Sequence, residues 1–102
     1  MIRSLQHVAL TVPDLAAGRA FFTTIGLEAR EDGTDLVFRC AGRDQDQLRL
    51  IPGDRKALAW VCWGTRKKEL AGLVERLDAT GVRLLDPPAN DPRPGAWFRD
   101  PD

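Results

Sequence analysis

Residues 5–12, LQHVALTV, alternate apolar and smaller or more polar side chains. Val8, Leu10 and Val12 fall on one side, and His7, Ala9 and Thr11 on the other. A period of two predicts a strand with two unlike faces. Pro13 and Asp14 end it, and the Asp14 carboxylate suits a helix N-cap because it accepts from an orphan amide of the first turn. The period then changes to that of a helix. Leu15, Phe22 and Ile25 share one side, and Gly26 supplies a left-handed stop. Three short strands follow in GLEARE, TDLVFRCA and QLRLIP, separated by the hairpin turn DGT and the polar loop GRDQD.

The second half repeats the order. KALAWVCW reads as a strand, Thr65 as an N-cap, and residues 67–81, KKELAGLVERLDATG, as a helix. Its stripe is Leu70, Leu73, Val74 and Leu77, and Gly81 closes it. VRLLDPP is strand-like, NDPRPG is a proline-rich connection, and AWFRDPD is a last strand entering a turn. Ala57 follows His7 by 50 residues and Gly81 follows Gly26 by 55, so one supersecondary unit occurs twice. The expected fold is α+β: two βαβββ modules, about residues 1–53 and 54–102 of one domain, the second lacking its last strand.

Composition adds exclusions. The 102 residues are 43% hydrophobic and 29% charged, and 15 basic residues balance 15 acidic ones. No basic surplus or stripe points to nucleic acid. No apolar run approaches the roughly 20 residues that span a bilayer, and the N-terminus lacks the pattern of a signal peptide. Cys40 and Cys62 lie in apolar, strand-like runs, which predicts buried thiols in a reducing cytoplasm.

These segments carry a family resemblance. LQHVALTVPDLAAGRAFFTTIGLEARE, then LAWVCW before an amphipathic helix, then AWFRDPD resemble the vicinal oxygen chelate superfamily. That superfamily includes glyoxalases, bleomycin-resistance proteins and extradiol ring-cleaving dioxygenases. LVFRCAGRDQDQLRLIPGD is most similar to the N-terminal domain of two-domain ring-cleaving dioxygenases. The resemblance implies paired modules around a cleft, with a divalent ion (Fe or Mn in the dioxygenases) held by side chains on the first, fourth, fifth and last strands. His7 stands at the first of those positions. Gln47 and Arg49 stand on the fourth strand and Ala57 on the fifth, while the last strand is absent from the sequence. An arginine cannot ligate because it stays protonated, and alanine has no donor.

The residue inventory agrees. A catalytic zinc needs about three protein ligands, and non-haem iron typically takes two histidines and a carboxylate. His7 is the sole histidine, and carboxylates such as Asp32, Asp44, Asp46 and Asp86 fall in turns and loops. No metal or other cofactor is expected in this chain, whatever the full protein holds. A cleft lined by His7, Arg39, Gln47 and Arg49 remains, and its arginines could take a carboxylate or phenolate. The alternative is that both arginines lie in solvent and cover the sheet with their stems. By strand parity Trp60 belongs to the opposite, helix-packed face with Leu58. Three functions follow from the resemblance. One is a non-metal-binding N-terminal module of a ring-cleaving dioxygenase-like protein. The second is a metal-free protein that binds a small aromatic or anionic molecule. The third is a metalloenzyme that completes its site with another chain. A homodimer, or association with a second module, is expected.

Overall fold

A computed structural model describes residues 2–88 and 95–99. Along the chain run β1 (Ile2–Val12), α1 (Leu15–Thr24), β2 (Leu27–Asp32), β3 (Asp35–Cys40), β4 (Leu48–Pro52) and β5 (Ala57–Thr65). A short 3-10 turn (Lys67–Glu69), α2 (Leu70–Ala79), β6 (Leu84–Leu85) and β7 (Trp97–Phe98) complete the order. The second pass therefore gives strand, helix, strand, strand among the described residues, as the repeat predicts. The connection at 90–95 and the turn at 99–102 fall largely outside those residues. No helix among them is long and apolar enough to cross a membrane.

Ser4–Gly64 is one compact unit. Its five-stranded sheet has the order β2-β3-β4-β1-β5. β1 runs parallel to β4, with Ala9 opposite Arg49 and Thr11 opposite Ile51. β3 runs antiparallel to both β2 and β4, with Val37 opposite Arg49. Alternation sends Val12, Leu36, Phe38 and Leu50 to the α1 side, where they form the buried cluster, joined by Leu10, Leu15, Phe22, Leu27, Ala29 and Leu48. The helix lies so close that a Cβ on Gly18 would sit 2.7 Å from Leu50 Cδ1. Asp14 caps α1 as expected, accepting from the Ala17 amide at 3.0 Å. Gly26 turns the chain out of it at φ 107°.

Two expectations about this unit are corrected. Ile25 is 62% exposed, because it is the C-cap after the last turn of α1 rather than a residue within the helix. Cys40 is exposed at the end of β3, beyond the cover of α1; it forms no disulfide with Cys62, which is half-buried.

The described residues from Thr65 onward, with Ile2 and Arg3, make a second unit. In α2 the four stripe residues Leu70, Leu73, Val74 and Leu77 are half-buried and the other six exposed. Thr65 does not cap this helix. It ends β5, and its hydroxyl donates to Glu69 Oε2 at 3.4 Å. Arg66, Lys67 and Lys68 put three cations where a helix N-terminus repels them, and the chain passes through the 3-10 turn before α2 begins. Arg3 pairs with Glu69 at 3.5 Å, and β6 and β7 pair antiparallel, Leu85 opposite Trp97.

Candidate functional site

The sheet face away from α1 is also covered. Ala9 and Val37 are 0% and 1% exposed, His7 5% and Asp35 6%. The strand register sorts this face into rows. Val37, Arg49 and Ala9 lie side by side on β3, β4 and β1. One step along the strands come Arg39 on β3, Gln47 just before β4, and His7 on β1; the Val8 amide donates to the Gln47 carbonyl at 3.1 Å. The four residues named from sequence therefore occupy two neighbouring rows of one face.

Each is engaged differently. His7 Nε2 accepts the indole N–H of Trp60 at 2.8 Å, with the rings edge to face at 86°. An indole nitrogen only donates, so Nε2 is the acceptor and the imidazole is neutral, with its proton on Nδ1. Trp60 is thus not confined to the helix-packed side. A half-buried indole needs an acceptor, and His7 supplies it. Gln47 turns back onto β3, where its Oε1 accepts from the Cys40 amide at 3.1 Å. Gln45 Nε2 reaches the Gln6 carbonyl at 2.7 Å, so the 41–47 loop is tied at two points.

Arg49 neither lies in solvent nor presents an open fork. Its side chain is 13% exposed; Nη1 donates to Asp35 Oδ2 at 2.8 Å, and Nη2 donates to Asp32. Burial pulls the guanidinium pKa down, but the two carboxylates outweigh this and raise it, so the group stays charged. Asp35, whose side chain is 7% exposed, was not singled out from the sequence. It shares a face with Val37, which lies opposite Arg49, so the ion pair follows once register is known. Arg39 is half-buried, and its side chain makes no hydrogen bond or ion pair among the described residues.

The hydrogen bond from Arg49, and then its charge, hold the Asp32 carboxyl below its ordinary 3.8. A carboxyl depressed in the fold adds stability at pH values above its unfolded pKa, and this is lost as pH falls through the folded value. Asp32→Asn is therefore expected to lower the urea midpoint at neutral pH and to flatten its decline below about pH 4. Equal acid profiles for Asp32→Asn and the parent would contradict this.

These residues do not fit a divalent ion. The His7 Nε2 lone pair faces an indole proton, Gln47 Oε1 holds an amide, Arg49 is cationic and Ala57 has no donor. Among the described residues no three His, Cys, Asp or Glu side chains are grouped to hold a metal.

Residues 4–102 match the model of the Glyoxalase/Bleomycin resistance protein/Dioxygenase superfamily, and the chain belongs to that family. Among its relatives, metapyrocatechase 2 of Cupriavidus necator is 33% identical over 99% of this chain and 31% of its own length. A manganese-dependent 2,3-dihydroxybiphenyl 1,2-dioxygenase of Geobacillus genomosp. 3 is 32% identical over 81% of this chain and 28% of its own. The crystal structure of BphC, a halotolerant catechol dioxygenase, superposes with a TM-score of 0.81 at 26% identity, over 99% of this chain and 37% of that one. The chain is thus related to extradiol dioxygenases and spans about a third of the curated relatives' length.

Proposed function

We propose that this chain is the non-metal-binding N-terminal module of an extradiol ring-cleaving dioxygenase-like protein, serving as scaffold for a metal-bearing part. The observation that carries this reading is the Trp60–His7 hydrogen bond. It occupies the nitrogen that a first-strand ligand would offer, in a chain with no second histidine. The relation to longer dioxygenases supports the same reading. Association with a second module or a second copy belongs to it.

The test is metal loading of the purified chain with Fe(II) or Mn(II) under anaerobic conditions. An ion bound at a hundredfold excess over its Kd would add about 2.7 kcal/mol. For a domain of this size that raises Tm by about 10 °C or more. The expected result is no such rise, no metal retained after desalting, and no cleavage of catechol. Stoichiometric retention that His7→Ala abolishes would overturn the proposal in favour of a metalloenzyme.

Arg39, whose side chain has no ion pair among the described residues, favours a second reading: binding of a small aromatic carboxylate without metal. Benzoate raising the Tm of the parent but not of Arg39→Gln would establish it in place of the scaffold role.

A further inference from the structure

The first turns of α1 stand beside the turn that joins β2 to β3, and a groove of about 340 Å³ lies between them. Small-ligand sites occupy about 300–1,000 Å³, so the space suits a small molecule. It lies on the α1 side of the sheet, so it is independent of the role proposed for the His7 face. Small residues open it. Ala16 fills little of the helix wall, and Gly33 turns the hairpin at φ 63° with no atom within 4 Å of where a Cβ would stand.

Strand pairing explains the lining. Leu36 lies opposite Glu31 across the hairpin, and alternation sends both to the α1 side. Leu36, 6% exposed, and half-buried Leu15 make an apolar floor. Asp35 turns its carboxylate to Arg49 on the opposite face. The rim carries both signs of charge. Arg19, one turn along α1 from Leu15, places Nη1 3.9 Å from Glu31 Oε1. That distance is too long for a hydrogen bond, and the two side chains are 50% and 78% exposed. So exposed a pair contributes little to stability, and a ligand that satisfies both partners displaces it at small cost.

A guanidinium offers a fork of donors to a carboxylate, and a carboxylate accepts from an ammonium. Opposite charges side by side over an apolar floor match a molecule with the same charges in reverse order. A simple anion would meet Glu31 as a like charge, and a simple cation would meet Arg19. We propose that this groove binds a free α-amino acid with an apolar side chain. Its carboxylate sits on Arg19, its ammonium on Glu31 and its side chain over Leu15 and Leu36.

The test is an NMR titration of the isotope-labelled full chain with L-leucine at neutral pH, following the Ala16, Gly33 and Thr34 amides. Saturating shifts at these amides are expected, with a Kd of about 1 mM for so small a ligand on exposed charges. 4-Methylpentanoate lacks the ammonium and leucinamide lacks the carboxylate; each is expected to bind about tenfold more weakly or worse. Arg19→Gln and Glu31→Gln are expected to weaken L-leucine by the same factor. Ala16→Leu keeps both charges, fills the groove and is expected to abolish binding. All three positions are exposed, so the variants should fold, and should one fail the other two decide. No saturable shift up to about 20 mM L-leucine, twenty times the expected Kd, overturns the proposal. Equal binding of 4-methylpentanoate, or binding that survives Ala16→Leu, overturns it as well.

Discussion

Replacing Arg49 by leucine is expected to destabilise the fold by about 3–5 kcal/mol, because it takes the guanidinium away from the buried carboxylate of Asp35. The two side chains are 13% and 7% exposed, so solvent cannot replace the lost partner. Asp32 suffers less, since its side chain is 48% exposed and water can take over. Against a typical stability of about 5–15 kcal/mol, the loss takes about a fifth or more of the total. Urea unfolding at neutral pH measures it as a lower midpoint with the slope unchanged. The double variant Arg49→Leu, Asp35→Leu is expected to recover most of the loss, since an apolar pair of similar volume leaves no buried charge. The experiment also separates two roles for this arginine. A structural Arg49 moves the midpoint; a ligand anchor would lose affinity for an anion while the midpoint stayed within about 1 kcal/mol.

The sequence pattern carried the fold a long way because the local signals agree. Alternation in residues 5–12, the Asp14 cap and the Gly26 stop all name the same elements that the structure contains. The α2 stripe is read correctly for the same reason: its four apolar residues are the half-buried ones. The site was less legible because its chemistry depends on register and reach. Alternation places Arg49 on a face but cannot say that Asp35 lies diagonally across from it. It gives the direction of a Cβ, not where an indole ends, and Trp60 finds its acceptor on His7. Thr65 was misread as a cap because a cap residue is only an opportunity; the cations after it decide where the helix begins. Exposure at element ends, as at Ile25 and Cys40, escapes periodicity altogether.

The opposite face of the sheet makes the sharpest contrast with the polar one. Phe38→Ala is expected to cost about 3–5 kcal/mol, the range for a large aromatic removed from a closed core. Phe38 and Leu50 are both 0% exposed, and the Phe38 ring lies 5.5 Å from Phe22 of α1. Gly18 already brings the helix against Leu50, so α1 has little room to settle further into the space left behind. The cavity term should therefore persist rather than relax away. Phe21→Ala supplies the control on the same helix. That ring is 60% exposed and meets only the edge of Phe22 among the aromatic rings near it, so its loss should cost about 1 kcal/mol or less. Thermal unfolding distinguishes the two, since each kcal/mol moves Tm by about 4–8 °C in a chain of this length. Equal shifts for both variants would mean that α1 is held by its outer face as much as by the core. A large shift for Phe38→Ala alone would show that the buried cluster under α1, and not the outer face of the helix, sets the stability.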